Sequence, residues 1–374
     1  MSFRVRISIL SVILVVLVGT YVVGTVFSPQ ARRARQANQP LLADFDPEDV
    51  GEIALISRED PAGSAGGEDQ TPSSRVTLRR ESAGNWAVEI DGSLYPARSS
   101  RVSSFLESLG DLRTLRRVTD NPELYGDFAI GEERADRLVL SAPDGSLLAS
   151  AYFGKAAVQG NRVYARAGDD GSVYMTQGSV DFYFGEEPEY WAELAVMPRS
   201  LTASAVERIS IQADIDLGDP DGEASPATAS GSASSGESGP GRRVARFTVL
   251  RGENENWQFA EGFAPPENAE IDQGAINRWA STIVDYEGSS FADGSESFGL
   301  ENPGMSLILE TDTGREYRLL VGARAGSERF YLRGEGPDVL ADFAGEPYVL
   351  TGSAFSVRRL FKAPDELFSV PEAP

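Results

Sequence analysis

Cysteine and histidine are both absent from the 374 residues. Their absence removes Ser-His-Asp and Cys-His nucleophile systems and nearly every zinc, copper or haem site. No disulfide reports a compartment, and a chain of this length needs none to hold a core. Lysine is almost missing too, with Lys155 and Lys362 the only two. There is no G-x-x-x-x-G-K-[ST] phosphate loop, so the chain is not itself the ATPase of a transporter. Past the N-terminus no apolar run approaches 18 residues, which leaves the rest of the chain soluble.

One such run does exist. Ile7 to Phe27 is 21 residues without a charge. At about 1.5 Å per residue it covers the roughly 30 Å hydrocarbon core as a helix. A cleaved signal peptide has a shorter apolar stretch and small residues at the cut, whereas Phe27-Ser28-Pro29-Gln30 is a poor site. The expectation is therefore a retained anchor in contact with membrane lipid through residues 7–27. Residues 1–6 form a cytoplasmic tail and 28–40 a linker. Arginines flank both ends (Arg4 and Arg6, then Arg32, Arg33 and Arg35), so the positive-inside rule is nearly balanced. A short tail stays inside most simply, which puts the soluble part outside the cytoplasm.

Residues 1–40 hold those five arginines and no acid, so a net charge of −23 leaves −28 for the remainder. A surface that acidic repels phosphates, and nucleic acid is excluded as a partner.

The soluble part repeats itself. Asp49 to Ile56 resembles Ala205 to Ile211. Arg75-Val76-Thr77-Leu78 with Asn85-Trp86 resembles Arg246-Phe247-Thr248-Val249 with Asn256-Trp257. Tyr125-Gly126 is matched to Phe298-Gly299, Phe153-Gly154 to Val321-Gly322, Tyr164 to Tyr331, and Tyr174 through Ser179 to Tyr348 through Ser353. The order never changes. A polar Gly/Ser/Pro-rich loop, 58–74 in one copy and 213–242 in the other, falls at the same point in each. Each copy reads as strand, loop, two strands, a helix, three or four strands and a short helix. Apolar stripes mark the helices: Val102, Phe105, Leu106, Leu109, Leu112 and Leu115, capped by Ser99 or Ser100; then Ile276, Trp279, Ala280, Ile283 and Val284, capped by Asp272. Ser179 and Ser353 are expected to cap the closing helices. The fold class is α+β: an N-terminal transmembrane helix, then two tandem repeats of an antiparallel sheet with packed helices, over 41–197 and 198–370.

The run Leu41 to Val50, Trp86 on a strand, Tyr95-Pro96-Ala97 before a helix, Tyr125-Gly126 and Phe153-Gly154 together resemble the bacterial domain-of-unknown-function family 4340. The resemblance covers most of 41–370. It implies a membrane-anchored envelope protein of the bacterial inner membrane, encoded beside ABC transporters of the gliding-motility type. It assigns no catalytic residue.

Three weak chemical candidates compete with blander readings. Glu186, Glu187 and Glu189 resemble a glycosidase pair but read better as a solvated acidic turn. Asp214, Asp216, Asp219 and Asp221-Gly222 resemble a calcium loop, but its twelfth position is Ser225 rather than Glu. Lys155 in a Ser-Lys dyad is countered by Ala323 at its repeat position. No catalytic, cofactor-binding or metal residue is expected, and no cofactor. Tyr183, Phe184, Tyr190 and Trp191 are expected at the junction of the copies, as an inter-copy contact or an exposed partner surface. The functional expectation is a non-enzymatic accessory or scaffold protein working with a membrane complex such as an ABC transporter. The alternatives are a periplasmic small-molecule or glycan binding module and, third, a carboxylate hydrolase.

Overall fold

The computed structural model describes residues 38–42, 46–57, 74–81, 84–157, 162–168, 170–218, 241–261, 263, 269–292, 294, 297–341 and 345–369. The expected anchor at 7–27 lies outside them, as do Asp219 and Asp221. Among the described residues no helix is long and apolar enough to cross a membrane. The chain divides into two compact units, Met1–Glu193 and Leu194–Pro374.

The first unit is built on ten antiparallel strands: β1 (Gln39–Pro40), β2 (Glu52–Ser57), β3 (Ser74–Arg80), β4 (Trp86–Ile90), β5 (Ser93–Pro96), β6 (Arg113–Thr119), β7 (Asp136–Ser141), β8 (Leu147–Ala156), β9 (Val163–Ala167) and β10 (Val173–Gln177). Their order across the sheet is β1-β6-β10-β9-β8-β7-β2-β3-β4-β5. Helix α1 (Ser99–Gly110) buries Val102, Phe105, Leu106 and Leu109. Burying each of these apolar side chains contributes about 1.5–3 kcal/mol. A one-turn helix α2 (Pro188–Trp191) closes the unit.

The second unit repeats the plan with β11 (Val206–Asp216), β12 (Arg242–Arg251), β13 (Trp257–Phe259), β14 (Glu270–Ile271), α3 (Gln273–Val284), β15 (Ser290–Phe291), β16 (Met305–Thr311), β17 (Glu316–Ala325), β18 (Arg329–Glu335), β19 (Val349–Ser353), α4 (Ala354–Leu360) and β20 (Phe368–Ser369). Its main sheet runs β13-β12-β11-β16-β17-β18-β19-β15, with β14 and β20 paired separately. Read from the opposite edge, that is the order of the first unit without its two edge strands, β1 and β5. Registers agree as well: Ile53 lies opposite Leu78 and Leu140, and Ile209 opposite Val249 and Leu309. Among the described residues of each unit five strands, not three or four, lie between the principal helix and the next α-helix, and β20 follows in the second unit.

The structure corrects several expectations. Asp272 does cap α3, accepting from the Ala275 amide at 2.9 Å. Ser353 caps α4 through the Ser356 amide. In the first unit, however, the N-cap of α1 is Arg98, whose side chain makes no capping hydrogen bond, and Ser99 is already helical. Leu115 lies on β6 rather than on the helix. Ser179 bonds the Asp181 amide, one residue ahead of the cap of a 3-10 turn (Asp181–Gly185). The second insertion is shorter than 213–242, because Ala213–Asp216 and Arg242 are paired strand. Ser74 is likewise strand rather than loop.

The match of Tyr125-Gly126 to Phe298-Gly299 is off by three residues. The true counterpart of Phe298-Gly299-Leu300 is Phe128-Ala129-Ile130. Ala129 and Gly299 are both left-handed, at φ 53° and 65°. Phe128 packs its ring 4.8 Å from Tyr164, and Phe298 packs 5.0 Å from Tyr331. The carbonyls of Phe128 and Phe298 sit where a Cβ on Gly154 or Gly322 would fall. That contact explains the repeated glycine on β8 and β17 better than any turn does.

The duplication also reaches further at both ends than the sequence match. Leu41 donates to the Leu112 carbonyl, and Val196 donates to the Tyr286 carbonyl from the corresponding place. At the far end, the Arg98 amide donates to the Trp191 carbonyl at 2.7 Å, and the Asp272 amide to the Leu367 carbonyl at 2.9 Å. The bridge Ala97↔Ala192 corresponds to the pair Ile271↔Phe368. Each unit therefore ends with a Pro-acid turn, Pro188–Trp191 or Pro364–Leu367, that returns to the strand-to-helix junction and plugs it with Trp191 or Leu367.

Candidate functional site

The aromatic cluster singled out in the sequence is built on that closing turn. Phe105 of α1 forms its floor, 4.8 Å edge-on from Tyr183 and 5.5 Å edge-on from Trp191. Trp191 is fully buried, and its indole Nε1 has no hydrogen-bond partner. Tyr190 stands at 89° to it, 5.3 Å away. Phe184 turns inward onto Phe153, 5.4 Å away. The last ring, Phe182, lies 5.8 Å from Tyr190 and 5.5 Å from Tyr183, and it is 60% exposed. Arg101 places its guanidinium 4.5 Å over the Tyr190 ring and donates to the Tyr190 carbonyl. Burial, then the neighbouring Tyr183, raises the Tyr190 phenol above its ordinary pKa, so it stays neutral.

The four expected residues thus come together, but in two roles. Phe184 and Trp191 are buried within the first unit and cannot face a partner. They are a correction to the expected surface, and the reason is the closing turn: Trp191 occupies the place Leu367 fills in the second unit. Tyr183 and Tyr190 keep partial exposure. The ring that sequence reasoning missed is Phe182, the most exposed of the set. Its neighbourhood in sequence pointed to it, but no periodicity in a five-residue turn says which ring faces out.

The other candidates lie apart. Glu187 is the N-cap position of α2 and Glu189 sits in its first turn, while Glu186 ends the preceding 3-10 turn. Asp214 pairs with Arg242 through two hydrogen bonds of 2.7 Å, and Asp216 accepts from the Gly218 amide. The Arg242 bonds hold the Asp214 carboxyl below the usual range. Lys155 is exposed on β8. Among the described residues no group of three His, Cys, Asp or Glu side chains is placed to hold a metal ion. Trp86 and Trp257 are buried, as their equivalence implies, each under a guanidinium: Arg80 at 4.9 Å and Arg251 at 4.6 Å.

The second unit carries an open groove of about 660 Å³, lined by Gln212, Leu300, Ser306, Leu320, Arg333 and their neighbours. It lies on the sheet face away from Phe247, whose ring meets Trp279 of α3 at 5.8 Å.

One family profile matches part of the chain. Residues 86–262 match the family profile described as Domain of unknown function (DUF4340). The match is narrower than the 41–370 expected from the sequence, and it runs across the boundary between the units. An "Uncharacterized protein" of Treponema pallidum (strain Nichols) is 21% identical over 126 residues, 34% of this chain and 40% of that protein. The alignment therefore spans well under half the length of that relative. No solved structure matches.

Proposed function

We propose that the chain, whose residues 86–262 match the DUF4340 family profile, is a non-enzymatic, membrane-anchored accessory or scaffold protein. It works outside the cytoplasm beside a membrane complex, an ABC transporter of the gliding-motility type. Its tether is the charge-free stretch 7–27. The observation that carries the reading is Phe182, held out to solvent on a base of Tyr183, Tyr190 and Trp191 with Arg101 clamped against Tyr190. Protein interfaces concentrate their energy in aromatic and arginine residues of this kind. A ring already fixed by its neighbours loses little freedom on binding. A photoreactive residue placed at 182 in the full chain tests this in its native membrane. The expected product is an adduct with a subunit of the transporter. Adducts with lipid alone, or none, overturn the proposal.

A second reading, a small-molecule or glycan binding module, draws support from the groove of the second unit. Its volume suits a ligand, and Arg318, Arg333, Glu335 and Asn302 supply polar contacts along it. A thermal-shift panel separates the two readings, since a ligand raises the melting temperature by mass action and a scaffold shows no response.

A further inference from the structure

Three adjacent strands of the first unit carry Arg137, Tyr152 and Arg166 directly opposite one another. All three lie on the face away from Phe153, the next residue on β8, which meets Phe184. The Arg166 guanidinium carbon is 4.2 Å from the Tyr152 ring centre and 5.2 Å from that of Tyr125, and Arg137 approaches Tyr152 from the other side at 5.6 Å. Arg166 is only 8% exposed. The Nε atoms of both arginines are sealed from solvent with no hydrogen-bond partner. Among the described residues neither guanidinium pairs with a carboxylate or a carbonyl. Cation–π contact offsets part of the cost of desolvating a charge, but it leaves the N–H donors unmet.

The second unit shows what is missing. Its row reads Ser306, Leu320 and Arg333 in the same register. Arg333 is neutralised by Glu335, two residues on, with bonds of 3.1 and 2.6 Å to one carboxylate oxygen. In the first unit the position two residues after Arg166 is Gly168, and a Cβ there would run into the Ser150 hydroxyl. The first unit has thus doubled the cations of the row and removed the anion. Two acids close to them in sequence are placed elsewhere. Asp136 alternates to the other face, opposite Phe153. Asp170 accepts from the Tyr174 hydroxyl and the Ser172 amide, each at 2.8 Å.

We propose that Arg137 and Arg166, with Tyr152 between them, form a binding site for a phosphoryl group that supplies the negative charge Glu335 supplies in the second unit. Two guanidinium forks suit a dianion, and a phosphate can accept from several of their donors at once. A phospholipid headgroup and free phosphate share this chemistry.

The test uses the full chain in neutral-lipid nanodiscs, titrated with inorganic phosphate at fixed ionic strength and followed by melting temperature. The expected result is a saturable rise. Arg137→Gln, at the half-exposed end of the row, should raise the half-saturation concentration about tenfold or more, the usual worth of a charge-assisted contact. Arg243→Gln, at an exposed arginine of the second unit outside the groove, should leave it unchanged. Arg166→Gln should abolish the response if it folds; if it does not, Arg137→Gln decides. Sodium chloride producing an equal rise, or an Arg137→Gln variant with unaltered half-saturation, overturns the proposal. Nanodiscs containing phosphatidic acid identify the source. Loss of the phosphate response there assigns the site to a headgroup, and a persistent response assigns it to the free anion.

Discussion

The two units share a strand order, a principal helix and a closing turn, yet they treat part of one sheet face differently. In the first unit that face is filled: Tyr152, Arg166 and Ala54 are buried, and Tyr125, Phe128 and Tyr164 pack over it. In the second, Leu320 and Tyr331 are buried there too and Phe298 packs over Tyr331, but the central strand differs: β11 alternates between buried Ile209, Ile211, Ala213 and Ile215 and exposed Arg208, Gln212 and Asp214. The helix-side face is conserved in character because it carries the core of each unit. The other face was free to diverge, and there one unit gained two cations beside a tyrosine while the other kept a groove with its charges paired. A duplicated fold thus separates what packing demands from what packing permits.

The sharpest way to break the comparison is to remove the two plugs. Trp191→Ala should destabilise the first unit by about 3–5 kcal/mol, and Leu367→Ala the second by about 2–5 kcal/mol. Denaturant unfolding followed by tryptophan fluorescence can resolve them, since Trp86 and Trp191 report on one unit and Trp257 and Trp279 on the other. If Trp191→Ala left the first unit's transition where it was, the shared role of the two turns would fail. A smaller effect concerns the left-handed residue after Phe128 and Phe298. Gly299→Ala should cost about 1–3 kcal/mol, because φ is positive and the new Cβ would approach the Ala323 amide at 2.8 Å. Ala129→Gly should be neutral or stabilising by up to about 1 kcal/mol, since relief of strain opposes the added freedom of the unfolded chain. Equal signs for the two would refute their equivalence. The smallest expected effect is at the helix starts: Asp272→Ala should cost about 1 kcal/mol in thermal melts, as a lost cap does. No such cap exists on α1 to lose.

Much of this was legible in the sequence. The strand matches were visible because alternating apolar residues and a tryptophan survived in both copies. The helical stripes were visible because Val102, Phe105, Leu106 and Leu109 align with Ile276, Trp279, Ala280 and Ile283. The slip at Phe298 was invisible because Gly126 offered a closer letter match than Ala129, whose left-handed backbone no side chain advertises. The closing turns escaped notice because only a proline and an acid repeat, while the plug changes from Trp191 to Leu367. One register change was also hidden. Tyr164 sits opposite Met175, but Tyr331 sits opposite Thr351, two residues beyond the matched Val349. A two-residue slip keeps every side chain on its face, so the hydrophobic pattern carries no trace of it. Exposure in the aromatic cluster was unreadable for a related reason: five rings close together in sequence do not reveal which one faces water.

The return of each unit's last residues to its helix junction has a consequence for synthesis. The central strand β2 is made early, yet one of its neighbours, β7, emerges some eighty residues later, and the plug Trp191 emerges later still. Until Trp191 arrives, Phe105 of α1 lacks one of the two rings, Tyr183 and Trp191, that pack edge-on against it. A ribosome that stalls shortly before Trp191 therefore holds a domain with nearly every strand in hand and its interior still open to proteases and chaperones.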